Sequence, residues 1–308
     1  MFNFFRAKVF NSGYLPAEDG HKVYFVEAGN PKGEPVLFFH GGPGGGLNLK
    51  HTAAFDRKKY RMIFFDQRGC QNSLPVGKIE DNNTWKLVDD AQRLLEYLKI
   101  KNKVILRGGS WGSTLALIFA IKYPQTVRCL LLSQIFLANE ENRKWEEEES
   151  GLFYPDMLEK LYEKKNSSQT LSETFATMIN FGDMAEQAEA AVLYSGYERV
   201  LGKLNPKLEL VDLGADDIAE SKIYINYAAK KFMLDDNYIM QHLENVENIP
   251  TLIVHNRLDM VCPLKGAYML HKKMPNSKLV IVPDIGHGSK KLKKVLKKEI
   301  RKFLPALK

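Results

Sequence analysis

The chain is poor in cysteine. Cys70, Cys129 and Cys262 are the only three among 308 residues. An odd number without metal-ligand spacing excludes a disulfide-framed fold and suits a reducing compartment. Long apolar runs are missing too, since no uncharged stretch approaches the roughly 20 residues that cross a bilayer. The opening MFNFFRAKVF places Arg6 and Lys8 among its apolar residues and lacks a small-residue cleavage site. It is therefore not read as a signal peptide, and a cytoplasmic protein is expected. What is present is ordinary globular material: 44% hydrophobic and 26% charged residues exclude disorder and suffice for a large core. The net charge of +7 first suggests an anionic partner. Eight lysines and Arg301, set against Glu299, put +8 on Ser289 to Lys308 and leave −1 on everything before it. Within that segment Leu292, Val295, Leu296, Ile300, Phe303 and Leu304 recur at helical spacing. The lysines are thus expected on the solvated face of a packed last helix, with neither nucleic acid nor a membrane as partner.

Seven short β-rich runs alternate with helical stretches, the pattern of a mainly parallel sheet covered on both faces. They are Val23 to Glu27, Pro35 to Phe39, Arg61 to Phe65, Lys103 to Arg107, Arg128 to Ser133, Thr251 to His255 and Lys278 to Val282. The long interval after the fifth run contains no convincing strand. It opens with the acidic cluster Glu140, Glu141 and Glu146 to Glu149, and reads as helical over Asp156 to Lys165 and Asp217 to Leu234. Such an insert is expected to form a lid over the carboxyl edge of the sheet, where open α/β sheets bind ligands. The predicted organisation is a core from residues 1–138 and 249–308 with a helical cap from 139–248.

The sharpest motif is Gly108-Gly109-Ser110-Trp111-Gly112, between the strand-like VILR and the helix-like STLALIFAIKY. This is the setting of a nucleophile elbow, whose glycines permit a tight strand-to-helix turn that lifts the serine oxygen above the sheet. Upstream, HGGPGGG from His40 follows the apolar VLFF. A loop so free of side chains lets backbone N–H groups approach a carbonyl oxygen, and the Gly42 and Trp111 N–H groups are the expected oxyanion hole. No Gly-Lys-Ser/Thr follows, so a phosphate loop is disfavoured. In this fold class the order is serine, acid, histidine. Asp259, in HNRLDMVCP after the strand-like TLIVH, and His287, in DIGHG after KLVIVP, supply the last two. Asp284 competes with Asp259 but reads as a turn residue. Of the other histidines, His40 belongs to the glycine loop, His255 ends a strand, and His21, His51 and His271 lie in expected surface segments.

Together these segments resemble the proline iminopeptidases, serine aminopeptidases of the α/β-hydrolase fold, over nearly the full length. The resemblance is carried by GHKVYFVEAGNPKGEPVLFFHGGPGGG, FFDQRGC, NTWKLVDDAQRL, GGSWGSTLAL, IFL at Ile135 and RLDMVCP. It implies Ser110 as nucleophile, His287 as general base, Asp259 as its orienting acid, no metal or organic cofactor, and a small peptide or aminoacyl amide as substrate. In that family acidic lid residues bind the free α-amine. One is similar to Glu198, in Tyr194-Ser195-Gly196-Tyr197-Glu198. The second falls on Tyr224, and the family's aromatic pocket residue on Ala228, with Glu220 one helical turn earlier as a substitute. Phe136 is expected to line the pocket for the first side chain. DQRGC is followed by Gln71-Asn72 where the family has glycine and a basic residue. The reading is a serine aminopeptidase. A serine esterase or amidase without a free-amine requirement and a binding protein on an inactive hydrolase scaffold are the alternatives.

Overall fold

The computed structural model describes residues 7–203 and 214–307; the first six residues of MFNFFRAKVF lie outside them. Eight strands form one sheet: β1 (Val9–Tyr14), β2 (Tyr24–Gly29), β3 (Glu34–Phe39), β4 (Tyr60–Phe65), β5 (Val104–Ser110), β6 (Val127–Ile135), β7 (Thr251–Leu258) and β8 (Ser277–Ile285). Their spatial order is β1-β2-β4-β3-β5-β6-β7-β8. Pairing is antiparallel from β1 to β4 through β2, and parallel from β4 onward. The seven expected runs coincide with β2 to β8. β1 was not foreseen, because this antiparallel edge strand, VFNSGY, is mostly exposed and lacks the continuous apolar run that two-sided burial imposes.

The period-2 geometry of a strand sorts each side chain to one of two layers. In β3, Leu37 and Phe39 join a layer that includes Leu87 and Val88 of α1 (Thr84–Tyr97) and Leu115 of α2 (Trp111–Lys122). Val36 and Phe38 point to the opposite layer, closed by Leu292, Leu296, Ile300 and Leu304 of the C-terminal helix Lys290–Ala306. Residues 111–121 of α2 are all buried, as expected for a helix apolar all round. Because β3 to β8 run parallel, the segments after them emerge on one edge: His40 after β3, Asp66 after β4, Ser110 ending β5, Phe136 after β6, Asp259 after β7 and His287 after β8.

Between β6 and β7 the described residues form helices and no strand: α3 (Glu140–Glu147), α4 (Pro155–Tyr162), α5 (Leu171–Phe181), α6 (Met184–Ala190), α7 (Gly196–Lys203), α8 (Ala215–Ala229) and α9 (Tyr238–Gln241). A π-helical turn, Ala191–Ser195, joins α6 to α7. After β7 come α10 (Leu264–Lys273) and the C-terminal helix, α11 (Lys290–Ala306). The helix expected over Asp217 to Leu234 stops at Ala229, and Lys231, Phe232 and Met233 take positive φ. Such left-handed residues cost about 1–3 kcal/mol each. Burial of the Phe232 ring offsets part of that cost by about 1.5–3 kcal/mol, and the ring packs on Trp111 and Phe136 at 5.5 and 5.0 Å between centroids. No described helix is long and apolar enough to cross a membrane.

Candidate active site

β5 passes into α2 without a connecting residue, and Ser110 at the junction has φ 56° and ψ −134°. The turn is this tight because no side chain intervenes. A methyl group on Gly108 would lie 2.0 Å from the Gly112 carbonyl oxygen, and one on Gly112 would lie 2.2 Å from that of Phe39. The glycine loop runs against this elbow, with the Cβ position of Gly41 3.6 Å from Ser110 Cβ.

One residue that sequence reasoning passed over joins the two segments. Gln67 donates through Nε2 to the His40 carbonyl at 3.0 Å, and its Oε1 accepts from Trp111 Nε1 at 3.0 Å. Its backbone N–H donates to His40 Nε2 at 2.9 Å, so the ring proton sits on Nδ1, which donates to the Gly41 carbonyl at 2.8 Å. Burial holds the His40 pKa down and keeps this ring neutral. The rest of DQRGC is a brace. Asp66 accepts from Leu47 N at 2.6 Å and from Asn72 Nδ2 at 2.9 Å, which gives Asn72, a departure from the family pattern, a structural task. Buried Arg68 bonds Asp90 at 2.6 and 3.0 Å. The available signals for Gln67 were its place just past the end of β4 and its membership of the FFDQRGC segment.

On the other side, His287 Nδ1 lies 2.9 Å from both oxygens of Asp259. Asp259 Oδ1 also accepts from the Val261 and Cys262 N–H groups at 3.1 and 3.0 Å. Burial opposes ionisation of Asp259, yet the facing His287 and these donors outweigh it and hold its pKa below the usual carboxylate value. Burial likewise opposes a charged His287. The Asp259 carboxylate, helped by Glu198, outweighs that and raises the His287 pKa. The ring's loop is pinned by Gln134 Nε2 donating to the His287 carbonyl at 2.6 Å and by the His287 N–H donating to that of Gly202 at 2.9 Å. Asp284 makes no such contact, and its pKa is held down chiefly by the nearby Ser289 hydroxyl. The Ser110 hydroxyl is the neighbour of the buried Cys262 thiol and, among the described residues, makes no hydrogen bond to the His287 ring. His255 is a buried structural histidine, accepting from Ile135 N at 3.0 Å. His21, expected at the surface, is buried and meets the Glu80 carbonyl at 2.8 Å.

Side chains from the helices between β6 and β7 help to line two cavities. One, of about 70 Å³, is lined by Gly42, Ser195, Glu198, Arg199, Glu220 and Tyr224 among others. Burial raises the Glu198 pKa, with His287 pulling the other way. The second, of about 390 Å³, has Phe136, Phe232, Tyr194, Ala228 and Glu146 in its walls. Tyr224 reaches from the first to the second by donating its hydroxyl to Glu146 Oε1.

A mainly parallel sheet between helical layers, with a serine elbow at its carboxyl edge, defines an α/β hydrolase. The family model for the alpha/beta hydrolase fold matches residues 34–293. A proline iminopeptidase of Arabidopsis thaliana is 36% identical over 288 residues, covering 91% of this chain and 76% of that one. The proline iminopeptidase of Neisseria meningitidis serogroup A is 34% identical over 283 residues, covering 90% of each. The chain belongs to the proline iminopeptidase family of the α/β hydrolases. In fold it is similar to a proline iminopeptidase-related protein from Thermus thermophilus, with a TM-score of 0.61 and 17% identity over 97% of this chain and 100% of that one.

Proposed function

We propose that the protein is a cytoplasmic serine aminopeptidase that releases the N-terminal residue, with proline foremost, from peptides and aminoacyl amides. The insert 139–248 acts as the cap, and the core of 1–138 and 249–308 carries the chemistry. Ser110 turns its hydroxyl toward His287 Nε2, a side-chain rotation of the ps–ns kind, and attacks the carbonyl of the first residue as His287 takes the proton. Asp259 holds the imidazole with Nδ1–H inward and stabilises the imidazolium. The Gly42 and Trp111 N–H groups receive the oxyanion, each contributing about 3 kcal/mol of transition-state stabilisation. His287 then protonates the leaving amine, and water enters by the same base to hydrolyse the acyl-enzyme. Neutral His287 is the working base, so its raised pKa makes the rate rise with pH on the acid side.

The observation that carries the aminopeptidase reading is Glu198. It shares a cavity with Gly42 and acts electrostatically on His287. The amine of a first residue is one Cα away from the carbonyl under attack, so its ligand must stand beside the reacting centre. Wild type is expected to hydrolyse L-prolyl 2-naphthylamide far faster than its N-acetyl form. Glu198→Gln is expected to lose about 10- to 100-fold on the free-amine substrate, the worth of a charge-assisted bond. Equal rates on the two compounds in wild type would move the assignment to an esterase or amidase.

A further inference from the structure

The acidic run Glu146 to Glu149 opens the cap, and three of its four members are tied to cations. Glu147 accepts from Arg143 at 3.0 Å and from the Tyr194 hydroxyl at 3.1 Å. Glu148 and Glu149 pair with Arg143 and Lys144 at 3.5 and 3.2 Å. Glu146 has no ion-pair partner among the described residues. Its one side-chain hydrogen bond there is from the Tyr224 hydroxyl to Oε1, which leaves Oε2 open to another donor.

Its position is fixed from both sides. Trp145, the preceding residue, donates Nε1 to the Met260 carbonyl at 2.6 Å, which fastens α3 to the segment holding Asp259 and Cys262. The Glu146 carboxyl stands within electrostatic reach of the Cys262 thiol beside Ser110, and Tyr224 within reach of both Glu146 and Glu198. A second, separate observation points to a ligand in the cavity on the Glu198 side of Tyr224. The Ser195 hydroxyl is buried at 6% exposure, lacks a hydrogen-bond partner among the described residues, and lines the cavity that holds Glu198 and Tyr224. Arg199, which also lines that cavity, acts on Glu198 and Glu220; it is not among the charges acting on Glu146.

We infer that Glu146, steered by the Tyr224 hydroxyl, is a second carboxylate ligand of the substrate's α-ammonium. It comes from the first cap helix and serves where α8 presents tyrosine instead of an acid. The inference rests on the aminopeptidase reading above. The chemistry is matched: a prolyl ammonium has two N–H donors, and Glu198 and Glu146 each offer it an oxygen. Burial pushes the Glu146 carboxyl up to about 8, so at neutral pH it holds a proton until the arriving ammonium supplies the counter-charge that ionises it.

The test is steady-state kinetics of wild type, Glu146→Gln, Tyr224→Phe and Glu198→Gln on L-prolyl and L-alanyl 2-naphthylamide, L-lysyl 2-naphthylamide, N-acetyl-L-prolyl 2-naphthylamide and 4-nitrophenyl acetate. Glu146→Gln is expected to lower the ratio of kcat/KM on the prolyl amide to that on the nitrophenyl ester by about tenfold or more, mainly through KM. Tyr224→Phe keeps the carboxylate but frees it, and is expected to lower the same ratio by a smaller factor. It also serves as the check should the Glu146 variant fail to fold. If Glu198→Gln lowers the ratio and neither Glu146→Gln nor Tyr224→Phe does, the Glu146 assignment is overturned and the aminopeptidase reading stands. A loss confined to the lysyl substrate also overturns it, by making Glu146 a side-chain ligand. If wild type treats the prolyl and N-acetylprolyl amides alike, the underlying reading fails instead.

Discussion

Asp259 and Glu198 both act on His287, yet their electrical conditions are opposite. The core acid faces the ring at 2.9 Å, accepts two backbone N–H bonds and is held below its ordinary pKa. The cap acid has no ion-pair partner among the described residues and is raised above its ordinary pKa by burial. A carboxylate satisfied by its own chain is preorganised and works with every substrate. One left without a cation is completed by the molecule that arrives, which makes it an instrument of selection. The same contrast separates Glu147, neutralised by Arg143, from its neighbour Glu146.

Asp259→Asn is expected to lower kcat by about 10⁴-fold on free-amine and ester substrates alike, because the imidazole loses both its tautomer and its counter-charge. A loss confined to free-amine substrates would place Asp259 with the selecting acids. A smaller effect is expected at Glu198. Glu198 helps to raise the His287 pKa, so removing its charge in Glu198→Gln should shift the acid limb of the kcat/KM profile for 4-nitrophenyl acetate to lower pH. A limb that stays put or moves upward would disconnect the two residues.

The smallest effect is on stability. The Glu146 pKa is raised from 4.5 to about 8, so in that pH window the folded chain holds a proton that the unfolded chain releases. Its contribution is fully present below the lower value and is lost as pH rises through the upper one. The Tm of Glu146→Gln relative to wild type should therefore climb between about pH 5 and pH 9. A difference in Tm independent of pH would show that the carboxylate is not desolvated in the folded protein.

Much of the candidate site was legible before folding because its signals are local. A glycine-flanked serine between an apolar run and a helical run has few other uses. A histidine and an aspartate that each follow a late strand of the sheet are delivered to one edge by parallel pairing. Elements without such signals were missed. β1 has no apolar periodicity, and the break after Ala229 arises because Phe232 turns inward onto Trp111. Gln67 is read only in space, where it spans His40 and Trp111, 27 and 44 residues away.

The amino-acid order alone was enough for the alternation of strand and helix, the elbow and the solvated lysine face, since each depends on neighbours a few positions apart. Which acids are neutralised and which stand unpaired was decided by the tertiary structure. Glu146 and Tyr224 are 78 residues apart, and Glu198 acts on His287 only through space. Desolvation and Coulomb attraction act through distance in space, and no spacing along a chain encodes them.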